Sequence, residues 1–129
     1  RGAVALHLAA AFGLQVEGVD ILAGDVRRAA RDAVRHGGQG RARFQVMDYH
    51  QLRFPDGHFD GAYTMETLVH AADSQAVLRE LHRVLKPGGR LALFEYSIAP
   101  RERLTARQRR LFDAIAAGSA MHSLPGFPW

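Results

Sequence analysis

Two aspartates follow stretches of the sequence that have the composition of β-strands. Asp20 follows Leu14 to Val19, and Asp48 follows Ala42 to Met47 with Tyr49 beside it. In α/β folds that bind nucleotides, a carboxylate at the end of such a strand accepts hydrogen bonds from the ribose hydroxyls. We assign this role to Asp20, and we expect Asp48 to accept from an adenine amino group while its neighbour packs on the base. Either aspartate could instead cap a helix or form a turn, which needs no ligand.

A glycine lies at the start of an Ala-rich helix that precedes the first of these strands. Gly2, in Arg1-Gly2-Ala3, would let the backbone approach a ligand closely at a helix N-terminus. An ordinary N-cap glycine is the alternative. Ile21 and Met65, which lie beside strand ends, complete the candidate cofactor-binding residues.

A second group of polar side chains follows the later strands and could act on a substrate. Glu66 and His70 are four residues apart, so a helix would place them on one face as acid–base partners. Glu95 and Tyr96 follow the apolar stretch Leu91 to Phe94. Glu66 and His70 could equally be a helix cap and a satisfied polar side chain. The histidines lack metal-ligand spacing, so no metal is expected.

Composition limits the classes of protein to consider. The 129 residues are 47% hydrophobic and 23% charged, as in a single globular domain. No apolar run approaches the roughly 20 residues of a membrane span. The absence of cysteine fits a reducing compartment, so we expect a cytoplasmic location. Because the first residue is Arg and not Met, we also expect the natural N-terminus to be missing.

The formal charge of +4 comes almost entirely from arginine. One cluster, between Arg27 and Arg35, lies on the polar face of an amphipathic helix and indicates a solvated surface, so no nucleic acid is expected. The denser segment Arg101 to Arg110 could contact an anionic membrane surface at its periphery. The sequence does not determine an oligomeric state.

Helices and strands alternate along the chain, which predicts parallel strands joined by right-handed crossovers in a doubly wound α/β sheet. Ligands bind at the carboxyl ends of the strands in such sheets. The predicted strands cover Leu14 to Val19, Ala42 to Met47, Phe59 to Met65 and Leu91 to Phe94. The predicted helices cover Gly2 to Phe12, about Gly24 to His36, a segment capped by Asp73 or Ser74, and one opened by the capping box Thr105 to Gln108.

Three features of the later elements follow from their patterns. Pro87-Gly88-Gly89 is expected to end the third helix, which would carry Leu85 on its inner face. The stretch Leu91 to Phe94 is apolar throughout, as in a strand covered on both faces. The last helix is expected to bury Leu111, Phe112 and Ile115.

Two longer motifs carry a family resemblance. Phe54 to Asp60 reads FPDGHFD, and Arg83 to Gly89 reads RVLKPGG. With the two strand-end aspartates, they resemble the core of a class I S-adenosylmethionine-dependent methyltransferase. The resemblance implies S-adenosylmethionine as cofactor, with Gly2 at its amino-acid end, Asp20 on the ribose and Asp48 with Tyr49 around the adenine.

The same resemblance implies that part of the fold lies outside this sequence. Such a core begins with an apolar strand and a Gly-x-Gly-x-Gly turn, of which only Arg1-Gly2 is present. We therefore expect residues 1–129 to form a partial methyltransferase domain, with a Rossmann-like sheet truncated at the N-terminus and at the C-terminus. On that expectation, the chain by itself is inactive.

A narrower resemblance concerns the acceptor. Tyr63 to Ala71, YTMETLVHA, resembles the YxxExxxHA segment of sterol 24-C-methyltransferases, and Phe94-Glu95-Tyr96 resembles the end of their next strand. It implies C-methylation of a lipophilic alkene, with Glu66, Glu95 and Tyr96 near the positive charge that develops on the acceptor. Tocopherol- or quinone-type methyltransferases and a non-catalytic binding module are the alternatives.

Overall fold

The computed structural model describes residues 2–36, 40–96 and 101–119. The chain divides into two compact units, Arg1–Arg53 and Phe54–Trp129. Each unit contains one pair of parallel strands, and helices alternate with the strands along the chain. This arrangement confirms the predicted α/β class. Within the described residues each strand pairs with one neighbour only, which gives two strand pairs.

The first unit contains α1 (Ala3–Phe12), β1 (Val16–Asp20), α2 (Ala23–Arg35) and β2 (Ala42–Val46). These bounds agree with the predicted elements to within two residues. The strands stay in parallel register along their whole length. Small residues on the helices let them lie close to the strands. The buried helical residues of this unit are Ala5, Ala9, Ala29 and Ala33.

The ring of Phe44 fills the space beside two glycines in this unit. Phe44 is in register with Gly18, and a Cβ added to Gly18 would lie 2.6 Å from the ring. A Cβ added to Gly2 would lie 2.7 Å from the Ala29 Cβ and 3.1 Å from the ring. Gly2 also has φ +79°, in the left-handed region that favours glycine. Close packing therefore requires glycine at both positions.

The second unit begins with β3 (Phe59–Met65), a single 3-10 turn (Leu68–His70), α3 (Ser74–Val84) and β4 (Leu85–Phe94). The two strands run parallel, with an irregularity near the start of β3. The bounds of β3 are those predicted from the sequence. The core of this unit is formed by the 3-10 turn, the residue after it and the inner face of α3. Its buried residues are Leu68, Val69, Ala71, Val77, Leu81 and Val84.

The prediction that Pro87-Gly88-Gly89 ends α3 is wrong. The helix ends at Val84, and Leu85 already belongs to β4 rather than to the inner face of the helix. The three residues lie in the irregular part of the β3–β4 pairing, where Gly88 has φ +80°. Proline has no amide to donate to a strand ladder, so it is tolerated at such an irregularity.

Arg83 holds the FPDG motif against α3. Its guanidinium donates to the Phe54 carbonyl at 2.8 Å and to Asp56 Oδ1 at 2.7 Å. It also donates to both carboxylate oxygens of Glu80 at 2.8 Å. These two carboxylates raise the pKa of Arg83 above its usual value. The two longer motifs of the sequence thus meet in one ion-pair network, whose role is to hold the fold.

Two helix caps predicted from the sequence are present. The Asp73 side chain accepts from the Ala76 amide at 3.0 Å and begins α3. Thr105 and Gln108 form the reciprocal capping box that begins α4 (Ala106–Gly118). Caps depend on residues three positions apart, which explains why the sequence alone identifies them.

The expected burial of several apolar residues is wrong. Leu91 is 36% exposed and Phe94 is 56% exposed, so β4 is not covered on both faces. In α4, Leu111 is 61% exposed and Ile115 is 50% exposed, while Phe112 is half-buried. Among the described helices, α3 contacts β4, and the exposure of Leu91 and Phe94 shows that it does not cover the strand. None of the described helices is long and apolar enough to cross a membrane.

Candidate functional site

The candidate cofactor-binding residues of the first unit lie at the carboxyl ends of β1 and β2. Asp20 is the last residue of β1 and is in register with Val46, the last residue of β2. The Met47 amide donates to the Asp20 carbonyl at 3.0 Å, which continues the pairing by one residue. Asp48 therefore lies at the same edge as Asp20, as parallel pairing of these strands predicted.

Asp20 forms a turn at the end of β1. Its Oδ1 accepts from the Leu22 amide at 2.8 Å. The side chains that follow it are largely in solvent, with Ile21 62% exposed and Leu22 58% exposed. A nucleoside needs an acceptor for its sugar hydroxyls and apolar surface for its base. A carboxylate beside two exposed apolar side chains fits that requirement, so these residues fit an adenosine-containing cofactor.

Asp48 is held as an anion by its neighbour two residues along the chain. The His50 amide donates to Asp48 Oδ1 at 2.8 Å, and His50 Nδ1 lies 2.7 Å from the same oxygen. These hydrogen bonds lower the pKa of Asp48 below its usual value of 3.8. The Tyr49 ring stacks on His50, with 4.9 Å between centroids. Sequence reasoning missed His50, although an Asp followed two residues later by a polar residue is a local turn signal.

Gly2 is accounted for by packing alone. It lies against Phe44, two residues before the end of β2, and against Ala29 of α2. These contacts correspond to the close helix–strand packing that the last glycine of such turns provides. A contact between Gly2 and the cofactor stays a prediction. Arg1, which precedes it, lies outside the described residues.

The carboxyl ends of β3 and β4 bring the second predicted group together. Met65 is in register with Phe94, and the Glu66 amide donates to the Phe94 carbonyl at 2.7 Å. Glu66 thus lies beside the segment Glu95-Tyr96. Met65 is 43% exposed and Phe94 is 56% exposed, so apolar surface adjoins these polar groups. Met65, predicted to bind the cofactor, lies in the second unit, whereas the other candidate cofactor-binding residues lie in the first.

Glu66 adopts an unusual backbone conformation and pairs with Tyr96. Its φ is +54°, and among the described residues other than glycine it alone has a positive φ. A non-glycine residue in this region costs roughly 1–2 kcal/mol and often marks a functional position. The Glu66 carboxylate beside the Tyr96 hydroxyl raises the pKa of Tyr96 above its usual value of 10.0. A carboxylate and a phenol are therefore held together beside exposed apolar side chains.

Glu95 accepts three hydrogen bonds from residues that follow or end β3. Its Oε1 accepts from the Thr64 hydroxyl at 2.8 Å and from the Thr67 amide at 3.2 Å. Its Oε2 accepts from the Leu68 amide at 3.2 Å. Sequence reasoning missed Thr64, because nothing local indicates which residue of β3 faces Glu95.

The predicted helical face shared by Glu66 and His70 is absent. Glu66 lies in the left-handed region before the 3-10 turn, and the turn itself comprises only Leu68–His70. The i, i+4 relation requires continuous α-helix, which these residues do not form. His70 ends the turn, with its amide bonded to the Thr67 carbonyl at 3.0 Å. A catalytic role for His70 stays a prediction, but its basis in a helical face is wrong.

The basic segment after residue 100 is partly neutralised. A 3-10 turn, Arg101–Arg103, precedes α4, and Arg101 pairs with Asp113 of that helix through two hydrogen bonds of 2.7 and 2.9 Å. The pair raises the pKa of Arg101 and lowers that of Asp113. Arg107 and Arg110 remain exposed on α4. Within 2–36, 40–96 and 101–119, no group of three or more histidines or carboxylates is placed to hold a metal ion.

Comparison with known proteins identifies a family. Residues 1–93 match the family described as "Methyltransferase domain". Sterol 24-C-methyltransferase erg6 of Aspergillus fumigatus is 42% identical over 71 residues, which cover 55% of this chain and 19% of that protein. The S-adenosyl-L-methionine-dependent Diels-Alderase iccD of Talaromyces variabilis is 37% identical over 117 residues, which cover 89% of this chain and 40% of that protein.

A solved structure shares the fold. Phosphoethanolamine N-methyltransferase 2 of Haemonchus contortus, in complex with S-adenosyl-L-methionine, matches with a TM-score of 0.81 and 24% identity. The match covers 96% of this chain and 27% of that one. The chain thus spans less than half the length of these relatives. Together the matches confirm the predicted resemblance, fold class and cofactor.

Proposed function

This chain belongs to the S-adenosylmethionine-dependent methyltransferase family, and we propose that the whole protein transfers a methyl group to a small lipophilic acceptor. A sterol side-chain alkene is the acceptor we favour. The 42% identity to a sterol 24-C-methyltransferase and the YTMETLVHA segment support it. The observation that carries the proposal is the position of Glu66, in a left-handed conformation at the carboxyl ends of β3 and β4 beside two exposed apolar side chains.

The first unit supplies the groups that bind the cofactor in this proposal. Asp20 accepts from the ribose hydroxyls, and the exposed side chain of Ile21 provides apolar surface next to them. Asp48 accepts from the adenine amino group, and its lowered pKa keeps it ionised at neutral pH. Gly2 and Tyr49 complete this set of the first unit, and a contact between Met65 and the cofactor stays a prediction. When bound, the cofactor supplies an electrophilic methyl group whose bond to sulfur breaks with the electron pair left on sulfur.

The second unit supplies the groups that act on the acceptor. As the alkene π electrons form the new carbon–carbon bond, positive charge develops on the acceptor. A carboxylate near that charge stabilises it, and an aromatic face adds to the effect. We assign this role, and the removal of a proton afterwards, to Glu66, whose carboxylate lies beside the Tyr96 hydroxyl. Met65 and Phe94 provide apolar surface for a lipophilic acceptor.

Isotope transfer tests the proposal. The whole protein, incubated with methyl-labelled S-adenosylmethionine, is expected to label a sterol that has a side-chain double bond, and to label a quinone acceptor less. Replacing Glu66 with Gln should lower kcat by about 100-fold or more, the usual contribution of a positioned acid–base group. Glu102→Gln is the matched control, since Glu102 is exposed and lies outside this group. Cofactor binding without any methyl transfer would contradict the proposal.

A cyclase is the second candidate function. The relative that covers 89% of this chain is named as an S-adenosyl-L-methionine-dependent Diels-Alderase. In a cyclase, Glu66 and Tyr96 would polarise the substrate, and no methyl group would be transferred to that substrate. Mass spectrometry separates the two functions, because a cyclised product keeps the mass of its substrate and a methylated product gains one methylene.

A cytoplasmic location with peripheral membrane contact belongs to the same proposal. Arg103, Arg107 and Arg110 are exposed in the basic segment, as an anionic surface would require. Co-sedimentation should then be stronger with vesicles containing phosphatidylserine than with phosphatidylcholine vesicles. Replacing the three arginines with glutamine should abolish that difference, whereas Arg31→Gln, on the polar face of α2, should preserve it.

A further inference from the structure

We infer, on the basis of the proposed function, that Glu95 is a positioning residue that fixes the conformation of Glu66 and does not itself touch the acceptor. Glu95 and Glu66 follow neighbouring strand ends, and sequence alone assigns both to catalysis. Their surroundings differ. The Glu95 carboxylate is occupied by three donors of its own unit, while Glu66 meets the hydroxyl of Tyr96 beside exposed apolar surface.

The three donors bracket Glu66 along the chain. Thr64 lies two residues before it, and the amides of Thr67 and Leu68 lie one and two residues after it. The amide of Glu66 itself bonds to the Phe94 carbonyl at 2.7 Å, next to Glu95. The end of β4 therefore holds the segment around Glu66 at four points, through partners 27–31 residues away in sequence for the Glu95 bonds.

The segment needs this support because Glu66 is in the left-handed region. At φ +54° a residue with a side chain is disfavoured, and the conformation persists only where surrounding contacts impose it. Charge-assisted hydrogen bonds from backbone amides to a carboxylate are among the stronger contacts available. Leu68, which donates one of them, is 1% exposed, so the support is attached to the core of the unit. Without Glu95 the backbone at Glu66 is expected to relax and to move its carboxylate away from Tyr96.

A glutamine at residue 95 separates positioning from catalysis. Its side-chain carbonyl can still accept from Thr64 and Thr67, and only the bond from Leu68 is lost, since an amide nitrogen cannot accept from another amide. A carboxylate that acts on the acceptor would lose its charge in Glu95→Gln and would fail almost as badly as in Glu95→Ala. If Glu95 only positions Glu66, the Glu95→Gln variant would keep most of its kcat.

A double-mutant cycle on the whole protein measures the coupling. We expect Glu95→Gln to lower kcat by less than about 10-fold and Glu95→Ala by about 100-fold, with the dissociation constant for S-adenosylmethionine changed less than about 3-fold. In a Glu66→Gln background, Glu95→Ala should lower kcat by less than about 3-fold more, because it acts through Glu66. Additive losses, or equal losses for Gln and Ala at residue 95, would overturn the inference.

A second measurement needs no acceptor, and it tests the positioning role of Glu95 even if the whole protein does not transfer methyl groups. The ring carbon shift of Tyr96 is followed by NMR as pH rises, with assignment from Tyr96→Phe. Thr64→Val, which removes one donor and spares the two amides, and Glu95→Ala should both move the Tyr96 titration midpoint down towards 10.0, the usual value from which Glu66 raises it. Glu102→Ala should leave it in place. An unchanged midpoint in folded Glu95→Ala, judged by its amide spectrum, would refute positioning whether or not methyl transfer is found.

Discussion

The two units hold their strand-end carboxylates by different means. In the first, Asp20 and Asp48 each accept from an amide two residues further along the chain. In the second, Glu95 accepts from residues 27–31 positions away, and the conformation of Glu66 depends on them. The difference teaches that a short-range turn fixes a carboxylate through its own neighbours, whereas a carboxylate in an unfavourable backbone conformation needs support from another strand.

The two units also differ in the contacts that hold their helices and strands together. The first unit relies on glycine and alanine to bring helices close to strands around the Phe44 ring. The second unit relies on side-chain ion pairs. Arg83 binds its carboxylate partners, and Lys86 Nζ lies 2.6 Å from Asp60 Oδ1. Substitutions should therefore damage the units by different mechanisms, and four experiments test this.

The largest expected effect concerns the small residues of the first unit. Gly2→Ala should lower the free energy of unfolding by about 2–4 kcal/mol, since it adds left-handed strain to a clash with Ala29. Urea unfolding of the whole protein measures it. Gly24→Ala is the control, because a Cβ there meets nothing within 4 Å, and it should raise stability by up to about 1 kcal/mol. Equal effects of the two substitutions would break the comparison.

The next effect concerns the ion-pair network of the second unit. Arg83→Ala removes a guanidinium that donates hydrogen bonds to Phe54, Asp56 and Glu80, and it should lower the melting temperature. Arg79→Ala, on the same helix, removes only an exposed contact to Asp73 at 3.6 Å. The shift for Arg83 should be at least about three times that for Arg79. Similar shifts would mean that the network does not stabilise this unit.

Cofactor binding sharpens the comparison at the level of function. Asp20→Ala should weaken S-adenosylmethionine binding by about 1.5–3 kcal/mol, the cost of losing charge-assisted hydrogen bonds to the ribose. Calorimetry on the whole protein gives this value directly. Asp32→Ala, on α2, should bind like the unaltered protein. Unchanged binding in Asp20→Ala would remove the ribose role from the first unit.

The smallest effect is a pH dependence at Asp48. Because folding lowers its pKa below 3.8, Asp48 contributes stability above that pH, and the contribution is lost as pH falls through the lowered pKa. A carboxyl NMR titration should place its midpoint below 3.8, and His50→Ala should move the midpoint only part of the way back up, because the amide of residue 50, the largest cause of the shift, remains. The effect on stability is small, since Asp48 is mostly exposed. A midpoint at or above 3.8 in the unaltered protein would contradict the local origin of the shift.

The sequence predicted most of the secondary structure, in particular the features that depend on near neighbours. The bounds of β3, the cap at Asp73 and the capping box at Thr105 follow from patterns within a few residues. Patterns that depend on the surroundings were less informative. Pro87 lies in a strand irregularity instead of ending a helix, and Leu111 is exposed although its spacing indicated a buried face. Burial depends on which element packs against a face, which local spacing does not specify.

The sequence by itself determined that carboxylates end successive parallel strands, because strand composition and alternation are local properties. Only the tertiary structure distinguished Glu66 from Glu95, two carboxylates of the same type at neighbouring strand ends. The register of β3 against β4 placed Thr64, Thr67 and Leu68 around one of them. It left the other beside Tyr96 and exposed apolar surface. Register is set by pairing between residues far apart in the chain, so no short stretch of sequence contains it.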